Sequence, residues 1–371
     1  MALRAARFFS VLVLLLMAAG AAQAAEARRV VTTDNSDYFG FDLRSAQNVT
    51  LDQCKTMCLG DSACRAFTYN TKAKWCFLKS DFNTIKPFTG AVAGKVVPVD
   101  GDPDIGAPPE LAFFPSWMAD QAQQYRNFIL GPGFTKPTDG LNALVDAAEQ
   151  AALTGDHRTA MQKYEQAVSV LPDDGQFWAK LARETLAVQP AGGSETSTLQ
   201  ANATSAAFNG YKVLRTASSR AEILALLAAG LDRRDLYRPA LQAYEASLAL
   251  VNSAAVQADY EDLKARKGFR VVDHSVDADT SAPRICAQFS EELVKTGIDY
   301  AQFVTVDGHA PKGVEAKDKQ ICVEGLEHGQ HYDVTFRPGL PAAIGEVIST
   351  PIVLSVYVQD RAPSARFTGD S

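Results

Sequence analysis

Four cysteines, Cys54, Cys58, Cys64 and Cys76, crowd into residues 54–76, while Cys286 and Cys322 stand far away. A crowd of this kind either holds a metal or staples a small core. The intervals are three, five and eleven residues and the nearest histidine is His157, whereas a structural zinc site wants closer Cys pairs or His partners. Disulfides are therefore expected at all six positions, an even number, in two separately stapled domains.

Disulfides persist in an oxidising compartment, and the amino terminus offers a route to one. Arg4 and Arg7 form a positive n-region, Phe8 to Ala19 is small or apolar apart from Ser10, and Ala22-Gln23-Ala24 is a small-x-small cleavage pattern. Residues 1–24 are read as a secretory signal peptide, which makes the mature chain exported, periplasmic or secreted. The apolar run is shorter than a bilayer crossing needs, and no later stretch is long enough either, so no transmembrane span is expected in the mature chain. Lys and Arg number 36 against 43 Asp and Glu, a formal net charge of −7. That balance lacks the broad basic footprint of a general nucleic-acid binder, and no nucleic-acid partner is expected.

A chain of 371 residues exceeds one ordinary core and suits two or three domains. The first, over residues 25–98, carries short aromatic and β-branched runs broken by Asn, Asp and Gly. Thr50-Leu51-Asp52-Gln53 is a capping box that opens a helix, with Gly60 as its stop. Cys54 and Cys58 lie four apart on that helix and so share a face. Ala66 to Tyr69, Trp75 to Leu78 and Ala91 to Val97 read as strands. This order, with the helix CxxxC, Phe67-Thr68-Tyr69 and Trp75-Cys76-Phe77-Leu78, resembles the PAN/Apple module. The resemblance implies the pairs Cys58–Cys64 and Cys54–Cys76, and a module that binds proteins or carbohydrates without doing chemistry.

Residues 99–140 are expected to form a linker and a lead-in helix. Pro98 to Pro115 reads as extended, through Asp100-Gly101-Asp102-Pro103-Asp104 and Pro108-Pro109. An EF-hand would need Gly and a carboxylate where Ile105 and Leu111 stand, so calcium is not expected. From residue 141 to 266 the period is helical. Ala160, Tyr164, Ala167 and Pro172, with Leu144 and Gly155 before them, fall at the spacing of a tetratricopeptide (TPR) unit. Trp178, Leu181 and Ala182 open a second unit, Val188 to Asn202 reads as an insert, and Ala207, Tyr211 and Leu214 resume the stripe. A third unit brings Leu224, Leu227, Ala228, Ala240 and Tyr244. The section resembles degenerate TPR helices, whose groove either binds a peptide or serves as a spacer.

Residues 267–371 turn to β texture. Strands are predicted at Arg270–Val272, Ile285–Phe289, Gln302–Val306, Lys319–Val323, His331–Phe336 and Ile352–Val358, enough for an antiparallel β-sandwich. Cys286 and Cys322 each fall inside a strand, which suits a bridge within this domain. The whole chain is thus expected to be a multidomain α+β protein. Pro283-Arg284-Ile285-Cys286-Ala287-Gln288-Phe289-Ser290-Glu291, Gln320 to Leu326, His328-Gly329, Tyr332, Arg337-Pro338-Gly339-Leu340-Pro341 and Val356 to Arg361 resemble the amino-terminal part of bacterial alpha-2-macroglobulin family proteins. The PAN, helical and β order is similar to that of alphaproteobacterial members.

That resemblance implies the amino-terminal portion of an exported endopeptidase inhibitor, a trap in which a protease cuts a bait segment and is enclosed, sometimes through a thioester. A thioester needs Cys-x-Glu-Gln. Cys322-Val323-Glu324-Gly325 ends in a residue with no side-chain acyl group, so this portion is expected to supply binding and scaffold modules, with bait and trap domains on a longer chain. Expected partners are proteases or other proteins, or a carbohydrate through the PAN module. The alternative is a free periplasmic PAN-domain binding protein. The sequence carries no GxSxG, Walker loop, GxGxxG after a strand or HExxH, and neither an enzyme nor a cofactor is expected. His328 and His331 form an HxxH without an organised third ligand and are read as a surface pair, and Asp277 and Asp279 as a solvated loop.

Overall fold

The computed structural model describes residues 28–99 and 101–361, so the signal peptide expected at residues 1–24 lies outside the described residues. They divide into two compact units, one of residues 28–80 with 86–101 and the other of residues 81–85 with 102 onward.

The first unit is one antiparallel sheet and one helix. Strands β1 (Arg28–Asp37), β2 (Asp42–Ala46), β3 (Ala66–Asn70), β4 (Trp75–Lys79) and β5 (Lys86–Pro98) lie in the order β1-β5-β3-β4-β2. Helix α1 (Leu51–Leu59) starts at the capping box: Gln53 N donates to Thr50 Oγ1 at 3.2 Å and Thr50 N donates to Gln53 Oε1 at 2.8 Å. Two helix-end donors that would otherwise be orphaned are thereby satisfied. One turn apart, Cys54 and Cys58 are both fully buried, in a cluster with Phe67, Tyr69, Leu78 and Val92. Phe67 sits opposite Gly94 across the β3–β5 ladder, where an added Cβ would lie 2.2 Å from its ring. Glycine there is what lets the Phe67 ring, the largest fully buried side chain of this core, fit.

Helices fill the first part of the second unit: α2 (Ser116–Leu130), α3 (Leu141–Leu153), α4 (His157–Val170), α5 (Gly175–Ala187), α6 (Gly193–Tyr211), α7 (Ala217–Asp232), α8 (Tyr237–Leu250) and α9 (Ala254–Lys267). Helices α3/α4, α5/α6 and α7/α8 pack as successive TPR-like pairs. Ala160, Tyr164, Ala167, Trp178, Leu181, Ala182, Ala207, Tyr211, Leu224, Leu227, Ala228, Ala240 and Tyr244 are all buried, which is the stripe the repeat spacing predicts. Small residues set the closeness. At Gly210 a Cβ would lie 2.6 Å from Ile223 Cδ1 and 2.8 Å from Trp178 Cβ.

Two readings of this section need correction. The expected insert is short, because residues 193–202 already belong to α6. Its Ser and Thr side chains bond back to the helix instead of breaking it: Thr196, Ser197 and Thr198 donate to the carbonyls of Gly192, Gly193 and Ser194. Glu195 in the first turn also suits the positive end of the helix and accepts from Ala191 N. The supposed extended linker is extended but pinned. Asp102 accepts from Ser218 N at the start of α7, Asp104 pairs with Arg215 at 2.7 Å, the buried Arg220 donates to Gly106 O, and Tyr211 OH donates to Pro109 O. The Arg215 guanidinium, with Gly106 N–H, holds the Asp104 carboxyl below its usual range.

The remainder is a two-sheet sandwich of β6 (Val271–Asp277), β7 (Arg284–Phe289), β8 (Val304–Val306), β9 (Gly313–Lys317), β10 (Gln320–Glu324), β11 (Gln330–Phe336) and β12 (Ile352–Val358), with sheets β6-β7-β10-β9 and β12-β11-β8. Ile285, Phe289, Ile321 and Val323 of one sheet share a core with Val334, Phe336, Val356 and Val358 of the other. Gln302 and Phe303 are not strand. They end a 3₁₀ turn, Tyr300–Phe303, that Asp299 caps by accepting from Ala301 N at 3.0 Å. Strand β9 escapes the sequence pattern because it is a short edge strand of half-exposed and exposed residues. Arg238 of α8 ties the helices to the sandwich through ion pairs to Glu291 and Glu346.

Candidate functional site

The cysteines are structural. Cys54 is bonded to Cys76, joining α1 to β4, and Cys58 to Cys64, joining the end of α1 to the loop before β3. In the sandwich Cys286 on β7 stands directly opposite Cys322 on β10 and is bonded to it. The Cys322 sulfur is therefore already committed. Gly325, three residues on, has φ +76°, a turn conformation that a Gln in its place would adopt only with strain. Thioester chemistry at Cys322 is excluded twice, by the missing Gln and by the occupied sulfur.

The PAN-type sheet has a second face. Strand alternation turns Phe67, Tyr69, Cys76 and Leu78 toward α1, so Thr68, Asn70 and Phe77 point the other way. Thr68 Oγ1 accepts from Tyr38 N at 3.1 Å, which draws the segment after β1 over that face. A cavity of about 370 Å³ results, lined by Asp37, Phe39, Thr68, Asn70, Lys79 and Phe88 among others. Phe39 is 72% exposed and Phe88 52%, unusual for phenylalanine. The Lys79 ammonium is almost fully covered and donates to Gly40 O and Asp42 Oδ1, both at 2.9 Å. Sequence reasoning missed this site; its signal was phenylalanine inside turn chemistry, at Phe39-Gly40 and Pro87-Phe88.

On the helical section, charges on the first helices of the pairs neutralise one another. Glu149 of α3 pairs with Lys180 of α5 at 2.7 Å, Arg183 of α5 pairs with Glu222 of α7, and Gln176 donates to Ser219 at 2.6 Å. Lys180 and Arg183 are thus engaged within the repeat stack. A second cavity of about 680 Å³ lies between the pinned segment, α2 and α6, beside the stacked rings of Phe114 and Phe208 at 4.2 Å. Inside the stack, Tyr125 OH donates to Glu165 Oε1 at 2.7 Å, and burial raises the Glu165 carboxyl above its usual range while the Tyr125 bond pulls it down.

The histidines have other partners. His328 Nε2 lies 2.7 Å from Ala278 O, and the His331 ring packs on Tyr357 at 4.7 Å. Asp277 ends β6 and pairs with Arg284 at 3.5 Å. Among the described residues no group of three or more His, Cys, Asp or Glu is placed to hold a metal ion, and no helix is long and apolar enough to cross a membrane.

No curated protein matches the chain. Among solved structures it is similar to the Sgt2 TPR domain from Aspergillus fumigatus, at 19% identity over 35% of this chain and 81% of that one, with a TM-score of 0.29. It is also similar to the first TPR domain of human RPAP3, at 13% identity over 34% of this chain and 90% of that one, with a TM-score of 0.29. An S-layer protein, rSbsC(31-844), matches at 16% identity over 70% of this chain and 36% of its own length, with a TM-score of 0.25. Likenesses this distant add nothing to the repeat geometry described above. The sheet, helix and buried cysteines of the first unit have a firmer counterpart: residues 29–93 are a PAN domain.

Proposed function

We propose that this chain is the amino-terminal, non-catalytic portion of an exported alpha-2-macroglobulin-like endopeptidase inhibitor, providing binding and scaffold modules while bait and trap reside elsewhere in the inhibitor. The observation that carries the reading is the C-terminal sandwich. The segments resembling that family, Pro283–Glu291 and Gln320–Leu326, are far apart in sequence, yet they contain β7 and β10, which are neighbours in register with Cys286 opposite Cys322. A third, Arg337–Pro341, follows β11 and sends the fully buried Leu340 into the same core. Three disulfides fit an oxidising compartment outside the cytoplasm, and the export expected from residues 1–24 belongs to this proposal.

The test is a pair of protease assays with trypsin and elastase, each on a large protein substrate and a small peptide. A trap blocks cleavage of the large substrate and spares the small one. The chain described here should block neither and should form no covalent adduct, because Cys322 is bonded to Cys286. The product of the complete reading frame should block the large substrate only. If it leaves the large substrate equally cleaved, the inhibitor reading fails. A second reading, an exported PAN-domain protein that binds a protein or carbohydrate, draws support from the aromatic-walled cavity beside Phe39 and Phe88.

A further inference from the structure

We infer that the cavity on the outer face of the PAN sheet is a binding site for a neutral glycan, with the Phe39 and Phe88 rings as stacking walls and Asp37 and Asn70 as hydroxyl-binding groups. At about 370 Å³ it falls in the ~300–1,000 Å³ range of small-ligand sites. The floor comes from three adjacent strands, which hold their side chains more firmly than loops do. Phe39 and Phe88 differ from other exposed rings in walling a cavity together, so that one ligand can cover the apolar surface of both. The apolar C–H face of a sugar ring does so while its hydroxyls stay free for polar groups. Those groups are present. Asn70 spends Oδ1 on the Lys72 and Ala73 N–H groups of the β3–β4 turn, which leaves its Nδ2 as a donor, and Asp37 is an acceptor for vicinal hydroxyls.

Local charge decides the class of ligand. Two carboxylates, Asp37 and Asp42, are matched by two ammonium groups, Lys79 bonded to Asp42 and Lys86 lying 5.2 Å over the Phe39 ring. A site with this balance has little net attraction for a sulfated or uronic sugar, or for a basic peptide. A purely apolar peptide side chain would strip water from Asp37 without replacing its hydrogen bonds. A neutral polyhydroxylated ligand satisfies both the rings and the polar groups. The assignment rests on the second reading, a PAN-domain protein that binds a protein or carbohydrate, and not on the inhibitor reading; its test is independent of the protease assays, and peptide binding at Phe39 would overturn it while leaving that second reading standing.

The purified chain is titrated by calorimetry with lactose, cellotriose, maltotriose and triacetylchitotriose. A heparin hexasaccharide serves as the acidic arm and a tetrapeptide bearing Lys and Phe as the peptide arm. At least one neutral sugar should bind with Kd below about 10 mM. Phe39→Ala and Asp37→Asn should each weaken it about fivefold or more, whereas Phe128→Ala, an exposed ring on α2, should leave it unchanged. Saturation transfer to the sugar from phenylalanine ring protons gives a readout on the unaltered protein, whatever the variants do to folding. The inference is overturned if no neutral sugar binds in that range, if heparin binds more tightly, or if sugar binding survives both substitutions intact. Peptide binding that Phe39→Ala abolishes would likewise overturn it and make the face a protein dock.

Discussion

The PAN domain and the helical section close their cores by different means. In the PAN domain four of the eight residues of the buried cluster are half-cystines, around Phe67, Tyr69, Leu78 and Val92. In the helical cluster there is no cysteine, and Trp178, Leu181, Ile223, Leu224 and Leu227 from successive pairs interlock. A domain of about 70 residues buries too small a fraction of its surface for hydrocarbon alone to outweigh chain entropy. Buried sulfur therefore serves there twice, as an apolar filler and as a crosslink on the unfolded chain. Stacked repeats meet the same deficit by lending each pair the apolar face of the next.

The sharpest way to break this comparison is to remove the largest shared side chain of the stack. Trp178 is fully buried, donates from Nε1 to Pro172 O at 2.8 Å, and meets the Tyr125 ring edge-on at 6.4 Å. Trp178→Ala should cost about 3–5 kcal/mol and lower the melting of α2 through α9 as one transition in far-UV circular dichroism. A melt identical to that of the parent chain would mean that the helices are not stabilised by cross-repeat packing.

The complementary change removes the crosslink. Cys54→Ala with Cys76→Ala opens a loop whose ends are 22 residues apart, and the chain-entropy account puts the loss at about 3 kcal/mol. Hydrogen exchange should rise across β3, β4 and α1 while the helical amides keep their protection. Equal loss of protection in both places would contradict the separate origin of the two cores.

How far each core was legible follows from the same contrast. The cysteine crowd and the Thr50–Gln53 box are local signals, since each acts within a turn or two of helix, and they announce a stapled domain directly. The repeat stripe, from Tyr164 through Trp178 to Tyr244, is legible because period and residue size recur. What the sequence concealed depends on distant partners. Thr196, Ser197 and Thr198 look like loop residues until their hydroxyls are seen bonding back along α6. Asp102 and Asp104 look like linker until Ser218 and Arg215 are beside them. The cavity at Phe39 depends on Tyr38 N meeting Thr68, 30 residues on, and no spacing in the sequence encodes that meeting. The edge strand β9 has no alternation to read, because only its neighbour β10 determines that it pairs.

The smallest expected effect probes Glu165, a carboxylate half-buried in the helical packing. Glu165 accepts from Tyr125 OH at 2.7 Å, and burial, outweighing that bond, raises its pKa above the usual carboxyl value. The folded state therefore binds the Glu165 proton more tightly than the unfolded state does. Stability from this group is fully present below the unfolded value of about 4.3 and declines as pH rises through the folded value. Glu165→Gln removes the titration and keeps an amide oxygen for Tyr125. The melting temperature of the variant minus that of the parent should accordingly increase from about pH 4 toward neutrality and then level off. Taking the difference cancels every other titrating group that the substitution leaves alone. A difference that is flat across this range would mean that Glu165 is as well solvated as a surface carboxylate, and that water reaches further into the repeat stack than the packing of Tyr125 against Trp178 implies.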